Sequence, residues 1–246
     1  MADAKIKLMI PTARAIYPHI LQEDKYQFTE HGKREFNTKL LLTPEDNEEH
    51  ATFIAKVTAL VESTFEDGKA ELAAVIKDPS VKGKPKAAAK DAYENLQRSY
   101  PWDPEFDDEG EETGNYLVKT KCAAGGVVKN GPKKGQDWEK VVPLYDAAGQ
   151  PIIGNARKAL TLWGGSELIT EAEAFPFCAE GLKLSGISLR LLAVQVITAV
   201  GGEGGGSAES HGFGVVEGGY KADTFANATA DNDAPEVADT SEDDDF

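Results

Sequence analysis

Residues 34–46 read REFNTKLLLTPED, and this stretch decides the fold class. Its large apolar residues Phe36, Leu40 and Leu42 share one parity, which is typical of a strand with one face in a core. The pair Thr43-Pro44 then indicates a helix start, with the threonine as N-cap and the proline at the first helical position. The sequence therefore predicts a strand that passes at once into a helix.

The rest of the chain is rich in short strands. A second, more polar helix is expected from about Lys86 to Arg98, and Pro143 favours an edge position for the strand that contains it. Five or six short strands with a helix inserted early favour a small barrel over a sandwich. We expect a mainly β fold of the OB type, a five-stranded Greek-key barrel with inserted α-helices. The first helix carries apolar residues at spacings of three and four, namely Phe53, Ile54, Val57, Leu60, Val61 and Phe65. Strands are predicted at residues 8–21, 34–43, 115–124 and 138–145, within 156–177, and at 186–200.

The composition fits one globular domain, which is expected in the cytoplasm. The chain has 246 residues, of which 41% are hydrophobic, enough for one good-sized core. Cys122 and Cys178 have no paired spacing, so both are expected to be buried, reduced thiols. The longest apolar run, residues 191–200, is interrupted by Gln195, so no membrane contact is expected.

The net charge of -16 hides a strong asymmetry along the chain. Residues 199–246 carry 12 acidic residues and one basic residue, and residues 103–112 carry seven carboxylates, so the remaining body is +2. Both acidic stretches are expected to be disordered appendages. We therefore predict an OB-fold domain at 1–200, followed at 201–246 by a Gly-rich linker and a disordered acidic tail that binds partners or, alternatively, only confers solubility.

The residue patterns of common enzyme sites are absent from the sequence. The four histidines are scattered, and the chain lacks a HExxH pair, a GxSxG nucleophile elbow and a Walker A loop. The acidic stretches lack the ligand spacing of an EF-hand. We therefore expect neither an enzyme, nor a cofactor, nor a metal site.

The order of several weak motifs resembles the replication single-stranded DNA-binding proteins of T-odd bacteriophages. The motifs are residues 39–46 (KLLLTPED), 117–122 (LVKTKC), 145–149 (YDAAG), 151–154 (PIIG), 182–191 (LKLSGISLRL) and the acidic run that ends in DDDF at 243–246. The resemblance implies a protein that coats and protects single-stranded DNA without sequence preference in phage DNA replication, recombination and repair. It also implies that the acidic tail recruits DNA polymerase and helicase-primase, and it allows a homodimer. If the chain is phage-encoded, the expected compartment is the cytoplasm of the host cell.

Such proteins hold phosphates with a basic groove and stack bases on aromatic rings. A lysine can instead be a solvated surface charge and an aromatic can fill the core, but both types coincide between Lys119 and Lys158. The candidates for phosphate contact are Arg14, Lys33, Arg34, Lys39, Lys119, Lys121, Lys129, Lys133, Lys134, Lys140, Arg157 and Lys158. The candidates for stacking are Tyr17, Trp138, Tyr145, Trp163, Phe175 and Phe177, and those for partner binding are Asp243, Asp244, Asp245 and Phe246.

Two other functional classes stay open at this point. The first alternative is an interaction module that binds a basic partner through its acidic tail and has no affinity for DNA. A nuclease on the same fold is the weaker alternative, because the sequence shows neither a metal site nor a nucleophile.

Overall fold

The computed structural model describes residues 6–24 and 34–201. Within these residues the chain forms a main sheet, a small hairpin and α-helices inserted between the strands. The strands are β1 (Ile6–Asp24), β2 (Glu35–Leu42), β3 (Gln97–Ser99), β4 (Trp102–Phe106), β5 (Glu112–Ala123), β6 (Gly125–Val127), β7 (Asp137–Glu139), β8 (Leu144–Tyr145), β9 (Glu167–Ala179) and β10 (Leu184–Thr198). The helices are α1 (Glu48–Lys77), α2 (Lys84–Asn95) and α3 (Gly154–Ala159).

Five long strands close into a ring in the order β1, β2, β5, β10, β9 and back to β1. All neighbours in the ring are antiparallel except β5 and β10, which run parallel with Arg190 beside Lys121. A closed five-stranded barrel with one parallel pair is the OB arrangement, so the predicted fold class is confirmed.

The barrel interior is filled by one alternating face of each strand. Ile10, Leu40, Val118, Leu168 and Leu191 come from the five different ring strands, and each is fully buried. Burying an aliphatic side chain of this size contributes roughly 1.5 to 3 kcal/mol. Because side chains alternate along a strand, the residues between these inward positions point to the outer surface of the barrel.

Helix α1 begins later than the sequence suggested. The expected N-cap at Thr43 is wrong, because residues 44–46 form a turn and Asn47 is the N-cap. The Asn47 side-chain oxygen accepts hydrogen bonds from the backbone N–H groups of Glu49 and His50 at 2.9 and 3.2 Å. Asparagine caps a helix at least as well as threonine, so one turn can separate the strand from the helix.

Buried His50 ties this helix start to the barrel. Its Nδ1 accepts the backbone N–H of Thr43 at 3.0 Å, which leaves Nε2 to donate to the carbonyl of Thr12 at 2.9 Å. Further along α1, Phe53, Val57 and Val61 pack into the barrel core. The long amphipathic helix predicted here is confirmed.

Helices α1 and α2 pack together through a second, smaller apolar cluster, formed by Leu72 of α1 and by Ala89 and Ala92 of α2. Helix α2 stops at Asn95, and the next residues form β3, which pairs with β10. The predicted extension of this helix to Arg98 is therefore wrong, because the sheet takes the backbone hydrogen bonds of residues 97–99.

Two predicted strands are divided or displaced. The strand expected at 138–145 is two short strands, β7 and β8. Pro143 lies between them, where its missing N–H removes no hydrogen bond between strands. The strand expected at the start of 156–177 is instead α3, and β9 begins only at Glu167. The strands expected at 8–21, 34–43, 115–124 and 186–200 are confirmed as β1, β2, β5 and β10.

The acidic stretch at 103–112 is ordered, so the expected disorder there is wrong. It forms the end of β4, a tight turn and the start of β5, and the turn contains Gly110 at φ +86. The Asp107 side chain accepts the N–H groups of Glu109 and Glu111 at 3.0 and 2.8 Å. Antiparallel pairing and this local capping hold the hairpin despite its charge.

The two cysteines differ in their surroundings. Cys122 is buried as expected, and burial raises the pKa of its thiol. Cys178 is exposed, so the prediction that both thiols are buried is wrong. The Gly-rich linker and the acidic tail, expected at 201–246, lie outside the described residues from position 202 onward.

Candidate nucleic-acid interface

Cations lie side by side on the outer surface of β2, β5 and β10. The β2–β5 register places Lys39 opposite Lys119, and the β5–β10 register places Lys121 beside Arg190. Their neighbours along each strand point inward, so all four side chains face outward because of the strand alternation. The closure of the barrel therefore assembles a cationic surface from residues that are distant in sequence.

An open cleft of about 680 Å³ lies on this surface. Its cationic lining residues come from β5, β10 and the segments that flank β2 and β7, and its two aromatic rings come from β7 and β9. We call it the first cleft. The side chains of most interest in it are Arg34, Lys121, Trp138, Lys140, Phe175 and Arg190.

Two glycines lie against Trp138 in the β6–β7 hairpin. Gly126 pairs with Trp138 across the β6–β7 hairpin, and a Cβ at this glycine would lie 3.4 Å from the indole Nε1. A Cβ at Gly125 would lie 2.8 Å from the Trp138 carbonyl oxygen and 3.1 Å from Nη1 of Arg34. A side chain at Gly125 would therefore clash with the Trp138 backbone, whereas one at Gly126 would make ordinary van der Waals contact with the indole.

Phe175 presents the other aromatic ring of this cleft. It is 49% exposed on β9, and the guanidinium carbon of Arg190 lies 5.1 Å from its ring centroid. This is a cation–π distance. A cation and an aromatic face are thus placed next to each other at the surface.

Two further clefts continue the first one. The second, of about 420 Å³, shares Arg34 and Lys140 with the first cleft. The third, of about 550 Å³, shares Leu21 and Gln22 with the second. Because each cleft shares two lining residues with the next, the three clefts adjoin, and we call this row of clefts the outer path. Its far end, in the third cleft, is lined by Arg157, Lys158 and Trp163.

The outer path is electropositive although the chain as a whole is strongly acidic. Among the described residues that line it, six are lysine or arginine and two, Glu35 and Glu139, are carboxylates. Arg157 also has a structural role, because its Nη1 donates a hydrogen bond to the Val142 carbonyl at 2.8 Å. Burial lowers the pKa of its guanidinium. Lys140 donates to the Leu191 carbonyl at 3.3 Å.

The structure brings about half of the predicted DNA-binding residues together. The outer path contains Arg34, Lys121, Trp138, Lys140, Phe175, Arg157, Lys158 and Trp163. Three more predicted cations, Lys129, Lys133 and Lys134, are exposed in the loop of the β6–β7 hairpin, whose strand β7 carries Trp138.

The other predicted residues lie apart from the outer path. Lys39 and Lys119 are both within ion-pair distance of Asp103, and Arg14 is exposed on β1. Tyr145 lies in a separate small pocket with Met9 and Ile169. Phe177 is half-buried on β9, and the predicted residues Lys33, Asp243, Asp244, Asp245 and Phe246 lie outside the described residues.

Tyr17 stands at an irregularity of β1. It is 78% exposed, its φ is +48, and the β1–β2 register shifts between Ile16 and His19. Its backbone lies close to the turn after Trp163, since a Cβ on Gly164 would be 3.9 Å from the Tyr17 nitrogen. The strained tyrosine thus lies beside the third cleft.

Sequence reasoning missed Arg190, which lines the first cleft and lies beside both Lys121 and Phe175. A signal was present, because Leu189 and Leu191 are buried on either side of it and a charge between two core positions must face outward. Its role depends on the parallel pairing with β5, which no local pattern contains. Ser188, two residues earlier on the same face, also lines the first cleft.

The described residues offer no group of three or more His, Cys, Asp or Glu side chains placed to hold a metal ion. No helix in the described part of the chain is long and apolar enough to cross a membrane.

Comparison with known proteins identifies the fold. A scan against protein-family models finds no matching family, and a search of curated proteins finds no relative. Among solved structures, the chain is similar to gp2.5, a single-stranded DNA-binding protein encoded by bacteriophage T7, with a TM-score of 0.58 and 17% identity over 89% of this chain and 100% of that one. The chain therefore has the fold of this phage protein, and the fold implied by the resemblance in sequence is confirmed.

A second similarity is weaker. The single-stranded DNA-binding protein of bacteriophage Enc34, solved in complex with single-stranded DNA, aligns with a TM-score of 0.47 and 12% identity over 80% of this chain and 89% of that one. A further structure of the Enc34 protein gives a TM-score of 0.45 and 13% identity, with 83% and 89% covered.

Proposed function

We propose that the chain is a non-enzymatic protein that binds single-stranded DNA without sequence preference along the outer path. The observation that carries this proposal is the coincidence of exposed aromatic rings and cations in one row of adjoining clefts. Trp138 and Phe175 lie at one end of the path, and Trp163 lies at the other. The fold shared with the phage protein gp2.5 supports the same function.

The two kinds of side chain have complementary tasks in this proposal. Exposed rings can stack on unpaired bases, and each stack is worth about 1 to 3 kcal/mol. Lys121, Lys140 and Arg190 lie around the rings and would hold the phosphates. Stacking tolerates every base because each has a π-face, so the binding is independent of sequence. In a phage, this activity would coat and protect single strands during DNA replication, recombination and repair.

The full-length protein should bind oligo-dT and mixed-sequence oligonucleotides with similar affinity. On a double-logarithmic plot, the binding constant should fall with salt at a slope of about -0.7 per phosphate contacted. Fluorescence anisotropy over a series of salt concentrations measures both quantities. Failure to bind oligo-dT, or binding that ignores salt, would contradict the proposal and favour an interaction module that acts through the tail.

Replacing the rings of the first cleft tests the stacking. Trp138→Ala or Phe175→Ala should each weaken oligo-dT binding by about five- to a hundredfold. Their melting temperatures should change little, because 37% and 49% of these two residues are already exposed. Tyr145→Ala is the matched control, since Tyr145 has similar exposure but lies outside the outer path, and its affinity should be unchanged. Equal losses in all three variants would show that the path is placed wrongly.

We also propose that the acidic tail competes with DNA for the outer path and, once displaced, recruits DNA polymerase and helicase-primase through Phe246. Eight carboxylates and no basic residue lie between Asp231 and Asp245. The body ends beside the path, because the Trp163 backbone N–H donates to the carbonyl of Val200 at 2.8 Å. The Gly-rich composition of residues 201–207 is that of a linker, and a polyanion tethered through such a linker would act at an effective concentration on the order of millimolar.

Truncation after Gly219 should tighten oligo-dT binding, most strongly at low salt, where screening is weak. It should also abolish binding to the replication proteins. Deleting Phe246 alone is the matched control, because it keeps every carboxylate side chain of the tail. That deletion should impair partner binding and leave DNA affinity nearly unchanged. Equal DNA affinity of the truncated and full-length chains at low salt would refute the competition.

A further inference from the structure

The cations of the β2–β5 surface are held by carboxylates. Arg34 pairs with Glu139 at 3.1 Å, and Lys121 pairs with Glu35 at 3.8 Å. Lys39 and Lys119 converge on Asp103, with Lys39 at 4.0 Å. The acids come from three different strands, β2, β4 and β7, and Glu35 and Glu139 line the outer path itself.

These ion pairs contribute little to the stability of the fold. The side chains of Arg34 and Glu139 are 48% and 73% exposed, and those of Lys119 and Asp103 are 48% and 46% exposed. In the third pair, the Lys121 side chain is 67% exposed and that of Glu35 is 29% exposed. Exposed pairs of this kind are weak because water and salt screen them. Their main energetic effect is therefore on ligand binding, because a ligand that approaches one of these cations competes with its carboxylate.

A phosphate that approaches these cations must displace a carboxylate and then lie near it. The carboxylates therefore weaken the part of the affinity that depends only on phosphate charge. They leave base stacking on Trp138 and Phe175 intact, because neither ring is within the ion pairs. A ligand with unpaired bases therefore keeps the affinity that comes from stacking. A ligand that offers only phosphates depends entirely on the part of the affinity that the carboxylates weaken.

Duplex DNA is the ligand most affected by this arrangement. Its bases are already stacked inside the helix and cannot reach the rings. It is also stiff, with a persistence length of about 150 bp, and carries about one charge per 1.7 Å of axis. A flexible single strand can route its phosphates around an exposed carboxylate, but a duplex places several phosphates near it.

We propose that Glu35 and Glu139, which line the outer path, and Asp103, on the β2–β5 surface outside it, set the preference of this protein for single-stranded over duplex DNA by holding nearby cations in ion pairs. The proposal rests on the binding function proposed above. It makes the three carboxylates determinants of specificity that act by repulsion.

The test compares two full-length triple variants with the wild type. The first is Glu35→Gln, Asp103→Asn and Glu139→Gln. The control makes the same change of net charge at ion pairs on the helices, with Glu62→Gln, Asp91→Asn and Glu94→Gln, whose partners are Arg98, Lys183 and Lys90. The probes are labelled oligo-dT and a labelled hairpin duplex with an equal number of phosphates, titrated at low salt.

In the first variant, affinity for oligo-dT should rise about threefold and affinity for the duplex about tenfold or more, so that the ratio of the two falls. The salt dependence of duplex binding should also steepen. The control should keep the wild-type ratio. Stronger competition by the acidic tail would lower both affinities by the same factor, so the ratio is the decisive quantity.

Equal changes for the two probes, or no change in either, would overturn the proposal while leaving the binding function intact. Absence of oligo-dT binding by the wild type would instead refute the binding function. Melting curves verify that the variants fold. If the triple variant does not fold, Glu139→Gln alone serves, since the Glu139 side chain is 73% exposed, and an unchanged ratio in that variant would also overturn the proposal.

Discussion

The parallel pairing of β5 with β10 is the contact on which the rest of the structure depends. It closes the ring of five strands, with Arg190 beside Lys121. Without it the sheet would have two open edges and no enclosed interior for Val118 and Leu191, which are fully buried. The same closure brings the outward side chains of two distant segments into one surface. Fold stability and the candidate interface therefore have a common origin.

The charged residues of this protein are distributed unevenly over its surface. The net charge of -16 argues against a nucleic-acid partner only if it is spread evenly. Strand register instead collects lysine and arginine on one outer surface, and the acidic residues that accompany them are few and placed in ion pairs. Because charges in solution are screened beyond about 10 Å, the potential of that surface is governed by its own residues.

The sequence predicted those elements whose signal is periodic and local. Strands β2, β5 and β10 and helix α1 all show alternation or helical spacing, and all are present. The errors fall where tertiary contacts override local preference. The acidic hairpin at 103–112 is ordered by pairing with a neighbouring strand, and α3 forms where a strand was expected.

Prediction of the site had the same limit. Sequence reasoning found Trp138, Lys121 and Phe175, because the residue types are informative by themselves. It could not tell that Tyr145 lies in a different pocket or that Arg190 completes the cleft, because both facts depend on which strands become neighbours.

Mapping of photo-crosslinks is the most direct test of whether a single strand of DNA lies along the outer path. The measurement irradiates the full-length protein bound to oligo-dT that carries 5-iodouracil and locates the crosslinked residues by mass spectrometry. We expect crosslinks at Trp138, Phe175 and Trp163, on the surface formed by β7, β9 and the third cleft. Crosslinks confined to α1 and α2, with these three aromatic residues unmodified, would contradict it.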